Sequence, residues 1–170
     1  FETSIDPDEL SRIGRAMGIL ARKTGVYGMI GGQTVDVELA GGPIPKDKLD
    51  FIYRLKTGAL IEASMLIGAV LGGAAEEDCK IVESLALKIG MAFQIQDDIL
   101  DVTGSQEVLG KPIHSDEKNE KTTYVTWKGL EASRAEVERL SKEAVEELRG
   151  LKPADPFLEE LLLSLIHREK

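Results

Sequence analysis

The sequence predicts an all-α fold, and three observations carry that expectation. Apolar residues recur at spacings of three and four along nearly the whole chain, without the alternation of a half-buried strand. Aromatic residues make up only 5%, and the apolar inventory is mainly Leu, Ile, Val, Ala and Met, which suits packed helices. Gly and Pro fall in clusters, leaving long uninterrupted periodic stretches between them.

The first helix is expected in "SIDPDELSRIGRAMGILARKTG", where Asp6 is the cap and Pro7 a first-turn residue, with Leu10, Ile13, Met17 and Leu20 on one face. "VYGMIGGQTVDVELAGG" follows. There Gly25, Gly28 and Gly32 share a helical stripe suited to close helix contact, and with no strand before them they are not a dinucleotide-binding loop. Gly41-Gly42-Pro43 breaks the chain. A second long helix should run from about Lys46 to Leu71 and stop at Gly72-Gly73. Its apolar part, "GALIEASMLIGAVLGG", is short and interrupted by Glu62, so it reads as a buried core helix and not as a membrane span. A third helix is expected from about Glu76 to Val102.

"GSQEVLGKPIHSDEKNEKTT" (104–123) is the longest irregular stretch, and loops of that length in compact helical domains are usually functional or mobile. A short helix around "YVTWKG" and an amphipathic one, "EASRAEVERLSKEAVEELRG", come next. The second should turn Val137, Leu140, Ala144 and Leu148 inward and pair Glu138 with Lys142 on its outer face. Pro153 and Pro156 separate it from "LEELLLSLIHREK". No repeat or linker divides the 170 residues, so one domain is expected.

Composition excludes some classes of function. With 42% hydrophobic and 30% charged residues the chain is a folding one. Its net charge of -9 argues against a nucleic-acid partner, although an anionic ligand remains compatible if metal ions mediate the contact. The single Cys79 rules out an internal disulfide and fits a reducing cytosol. Residues Phe1 to Asp6 have neither a basic start nor an apolar run, so no secretory leader is expected there.

The chemistry concentrates in "FQIQDDILD" (93–101). On a helix Gly90, Gln94, Asp97 and Asp101 form one stripe, with Asp98 beside it. Carboxylates so spaced suit Mg²⁺, a hard cation that keeps several waters and bridges carboxylates to phosphates. A solvated acidic helix end is the plainer alternative. Lys56 lies on the line of Leu49, Ile52, Ala59 and Ala63, and must either snorkel outward or meet an anion. Thr57 follows it, and Gly58 leaves room for a close approach. Lys111, between Gly110 and Pro112, and Lys121, opening "KTTY", stand downstream of the aspartates. His114 and His167 lack ligand-like neighbours, and no Ser-His-Asp or Cys-His set can be assembled.

Together these residues resemble the trans-isoprenyl diphosphate synthase (polyprenyl synthetase) family, most closely its bacterial farnesyl diphosphate synthases. "GGQTVD" (31–36), "KTGALI" (56–61), "FQIQDDILD" (93–101), "LGKP" (109–112) and "KTTY" (121–124) occur in the family's order. The resemblance implies an isoprenoid-synthase-type helical bundle around a deep cavity. There an allylic diphosphate, ionised with the help of Mg²⁺, would alkylate isopentenyl diphosphate to give a short-chain, farnesyl-type product. By the same resemblance Asp97 holds a metal directly, with Asp98 and Asp101 acting through waters or as outer support. Lys56, Lys111 and Lys121 would hold the allylic diphosphate, and Thr57 and Gln94 would stabilise its carbocation. It further implies a cytoplasmic homodimer. The family's first aspartate-rich motif has no counterpart before residue 93, so residues 1–170 match the C-terminal part of a longer domain. Alternatives are a shortened, non-catalytic subunit that pairs with a full-length partner, and a terpene cyclase, which "DDILD" disfavours.

Overall fold

Local chemistry starts the first helix where the sequence places it. The Asp6 carboxylate accepts from the Asp8 N–H at 2.9 Å, and α1 (Pro7–Thr24) carries Asp8 and Glu9 in its first turn and Arg22 and Lys23 in its last. That arrangement satisfies an otherwise unpaired amide and complements the helix dipole at both ends. The computed structural model describes residues 6–104, 122–152 and 156–166, and every regular element among them is helical. After α1 come α2 (Met29–Glu38), α3 (Lys46–Ile52), a six-residue π-helical segment (Tyr53–Gly58), α4 (Ala59–Leu71), α5 (Glu76–Thr103), α6 (Tyr124–Lys128), α7 (Leu130–Gly150) and α8 (Pro156–Ile166).

The face expected of α1 is corrected. α1 packs on α4, but it buries Ala16 and leaves Met17 and Leu20 about half exposed. Ile19, one residue before Leu20, packs instead against the buried cluster of Leu66, Val70, Cys79 and Val82. The glycine stripe is corrected too. Gly25 and Gly28 form the turn between α1 and α2, where a Cβ on Gly28 would stand 1.9 Å from the Lys23 carbonyl oxygen. Only Gly32 makes the expected helix contact: its missing Cβ would lie 2.4 Å from the Lys56 nitrogen.

α5 is the axis of the bundle, with α4 and α7 packed along it. Its 28 residues bury Leu85, Ala86, Ile89, Ala92 and Ile95 completely, and the core extends from there to Leu49, Ile52 and Tyr53 on one side and to Ala144 and Ile166 on the other. Each fully buried Leu or Ile contributes about 1.5–3 kcal/mol. The inward residues expected of α7, Val137, Leu140, Ala144 and Leu148, are all buried. On its outer face Arg139 pairs with Glu136 at 2.8 Å and Glu143 at 2.6 Å, in place of the expected Glu138–Lys142 pair. The planar guanidinium reaches carboxylates on both sides at once, which a single ammonium does less well.

Glu62, which interrupts the apolar run of α4, is buried, and Lys23 from α1 donates to it while also reaching Glu83 at 3.4 Å. Burial raises the Glu62 pKa above its ordinary value, opposed by Lys23. Among the described residues no helix is long and apolar enough to cross a membrane.

Candidate active site

The expected helix from Lys46 to Leu71 is present, but its middle widens into the π segment. This is a correction with a chemical consequence. In a straight α-helix residues four apart share a face, which would set Thr57 beneath Tyr53 and Lys56 on the apolar line. In the structure Tyr53 and Gly58, five apart, are the buried residues of the segment. A π turn advances about one residue further per turn, so it rotates Lys56 and Thr57 away from the core. Lys56 therefore does not simply snorkel. Its ammonium donates to the Asp36 carboxylate of α2 at 2.5 Å, with 35% of the lysine side chain and 13% of the aspartate side chain exposed.

Two glycines set the second half of the site. A Cβ on Gly90 of α5 would stand 2.7 Å from the Gly58 Cα, so the π segment and α5 touch backbone to backbone. That approach lets the Thr57 hydroxyl donate to the Gln94 side-chain oxygen at 2.9 Å, linking two of the expected site residues. Asp97 follows Gln94 on the same stripe and is half-buried. Asp101 lies one turn further and is 3% exposed.

Asp98 behaves differently. It is 3% exposed, and its carboxylate oxygen accepts from the Tyr53 hydroxyl and, at 2.8 Å, from the backbone N–H of Tyr124. Adjacent helical residues project about 100° apart, so Asp98 faces the core while its neighbour Asp97 faces out of it. Among the described residues no group of three His, Cys, Asp or Glu side chains is spaced to hold a metal ion. The donors of the stripe are oxygens only, which suits Mg²⁺, an ion commonly held by one or two carboxylates with waters and substrate phosphates. The expected ligands Lys111 and Lys121 lie outside the described residues. Thr122, next to Lys121 in sequence, accepts the Ile44 N–H at 3.0 Å through its hydroxyl.

Asp36, Tyr53 and Tyr124 were not singled out from sequence. For Asp36 and Tyr124 a signal existed: they close the motifs GGQTVD (31–36) and KTTY (121–124), although no role was given to either. Nothing local marks Tyr53, whose partner lies 45 positions away.

The polyprenyl synthetase family model matches residues 8–153. The chain is 43% identical over 145 residues to a chloroplastic geranylfarnesyl diphosphate synthase of Leucosceptrum canum, covering 84% of this chain and 40% of that protein. It is 40% identical over 151 residues to large subunit 1 of a heterodimeric chloroplastic geranylgeranyl pyrophosphate synthase of Arabidopsis thaliana, covering 87% and 41%. Among solved structures it resembles the Helicobacter pylori geranyltransferase complexed with magnesium and isoprenyl diphosphate. That match has a TM-score of 0.76 and 36% identity over 92% of this chain and 51% of that one. The chain thus spans about two fifths of the length of these relatives and about half of that structure.

Proposed function

The chain belongs to the polyprenyl synthetase family, and from that premise we propose that the protein is a Mg²⁺-dependent prenyltransferase that joins an allylic diphosphate to isopentenyl diphosphate. The observation that carries this reading is the Thr57–Gln94 hydrogen bond across the Gly58–Gly90 contact, with Lys56 next to Thr57 in the π segment and Asp97 three residues after Gln94 on the same stripe of α5. Lys56, whose ammonium donates to Asp36, would turn to the diphosphate oxygens and keep the leaving group in place. Thr57 and Gln94 would set their oxygen dipoles against the positive charge that develops on the allylic carbon. Asp97 would hold the magnesium, with Asp101 behind it. Bound Mg²⁺ neutralises the charge that grows on a departing diphosphate. The apolar side chains around the stripe would exclude water from the cation. Lys111 and Lys121 complete the proposed diphosphate grip by their match to the family motifs.

The finer reading is a short-chain, farnesyl-type product made by a cytoplasmic homodimer. The similar plant proteins are named for geranylgeranyl and geranylfarnesyl products and as chloroplastic, and one as part of a heterodimer. Product mass and a sizing measurement therefore belong in the same experiment. The complete protein, given Mg²⁺ with isopentenyl and dimethylallyl diphosphates, should form prenyl diphosphates of defined length. Absence of any such product would overturn the enzyme reading. It would favour the shortened subunit that modulates a full-length partner, detected as altered product length when the two are mixed.

A further inference from the structure

Asp98 sits beside a proposed metal ligand in sequence, yet three elements converge on it from the core side. The Tyr53 hydroxyl of the π segment donates to Asp98 on α5. The Tyr124 N–H, at the start of α6, reaches both the Asp98 carboxylate at 2.8 Å and the Tyr53 oxygen at 3.3 Å. All three residues are 4% exposed or less, and the Tyr53 and Tyr124 rings pack with centroids 6.4 Å apart. α6 is secured independently by Thr123, whose hydroxyl accepts the Thr126 N–H at 3.2 Å while the Thr126 hydroxyl accepts the Thr123 N–H at 2.8 Å.

We infer that Asp98 is a positioning residue: with Tyr53 it locks the π segment and the start of α6 onto α5, and so fixes Lys56 and Thr57 against Gln94 and Asp97. What it positions rests on the prenyltransferase reading, whereas the lock itself does not. A buried carboxylate requires hydrogen-bond donors, and the two donors named above come from other elements, so the π segment cannot slide along α5 without stripping Asp98 of a partner. Tyr53 begins the segment and Lys56 and Thr57 lie three and four residues on, close enough to transmit such a shift directly. Asp97 and Asp98 thus divide the work of one dipeptide. The first faces the substrate side, and the second ties the wall behind it.

The test compares Tyr53→Phe, Asp98→Asn, Asp98→Ala and Asp97→Asn in the complete protein. The measurements are turnover per folded molecule, the Mg²⁺ concentration at half-maximal rate, and calorimetric affinity for inorganic pyrophosphate in the presence of Mg²⁺. Asp98→Asn keeps an oxygen that accepts from both donors and should retain turnover within about fivefold, since the geometry persists. Asp98→Ala and Tyr53→Phe should lower turnover roughly ten- to a hundredfold and weaken pyrophosphate binding, with the Mg²⁺ requirement unchanged. Asp97→Asn should instead raise the Mg²⁺ requirement. The inference is overturned if Asp98→Asn raises that requirement as Asp97→Asn does, which would make Asp98 a ligand. It is equally overturned if Tyr53→Phe lowers the melting temperature but leaves turnover and pyrophosphate affinity intact. Should the unaltered protein form no product, the prenyltransferase reading fails, and pyrophosphate affinity across the variants still decides the positioning role.

Discussion

Replacing Gly90 with alanine asks the most of the site's architecture for the least chemical change. The added Cβ would lie 2.7 Å from the Gly58 Cα, whereas nonbonded carbons rest at about 3.5–4.0 Å, so α5 and the π segment must part by roughly 1 Å. Both neighbours are backbone, and no side chain can rotate to absorb the clash. Overpacking of this kind costs about 1–3 kcal/mol. Alanine's better helix propensity returns roughly 1 kcal/mol, leaving a net loss of up to about 2 kcal/mol. Function should suffer more than stability. The Thr57–Gln94 hydrogen bond, 2.9 Å long, straddles the same contact and would open by a comparable distance. Gly18→Ala in α1 is the control, since a Cβ there meets nothing within 4 Å and should stabilise by about 0.5–1 kcal/mol. Urea unfolding of the two variants beside the unaltered protein, together with turnover, decides the matter. A Gly90→Ala protein stabilised as much as Gly18→Ala, and fully active, would refute the argument that the glycine pair sets the site.

Three other outcomes follow from the structure. Asp97→Ala should cut turnover by about a hundredfold or more, with no loss in melting temperature, because a half-exposed carboxylate contributes to the transition state and not to the core; a fall in melting temperature with intact activity would mark it as structural. Lys56→Ala should raise the KM for the allylic diphosphate and lower turnover, the loss of a charged hydrogen bond being worth roughly 1.5–3 kcal/mol, and unchanged kinetics would show that the Lys56–Asp36 pair is only a tie between α2 and the π segment. For Glu62 the sign is set by its raised pKa, due first to burial. The folded form binds its proton more readily than the unfolded chain, so its stabilising contribution is complete below the ordinary glutamate value and is lost as pH rises through the raised one. Glu62→Gln should therefore flatten the decline of stability with pH in this window, as read by denaturant unfolding, and an unchanged slope would place the dependence elsewhere.

The helices were legible because their signals are local. Asp6 and Pro7 start α1, Gly72 and Gly73 close α4, and the apolar period of α5 holds for 28 residues. The face of α1 was not legible, since the choice of Ala16 over Met17 depends on how α4 fits it. Within the site, the stripe of Gly90, Gln94, Asp97 and Asp101 followed from helical spacing alone. The fate of Asp98 was half legible: neighbouring residues on a helix cannot face one point, but the identity of Tyr53 and Tyr124 as its donors depends on the tertiary fold. Lys56 was misplaced for a physical reason. Its position on an apolar line assumed one unbroken α-helical period from Lys46 to Leu71, and the π segment breaks that phase.

The wide turn at Tyr53–Gly58 also changes what insertions and deletions can do to this protein. A π turn holds about one residue more than the α turn it replaces, and each residue of an α-helix accounts for about 100° of rotation. Removing one residue from the segment would therefore let the backbone relax to a regular helix with α3 and α4 in register, so that Leu49 and Ile52 on one side and Ala63, Leu66 and Val70 on the other keep their buried seats. The same deletion inside α3 or α4 would instead turn everything beyond it by about 100°. What a deletion in the segment would remove is the wide turn that seats Lys56 and Thr57, with the rest of the core intact. The length of this segment is thus as much a part of the site as the residues within it.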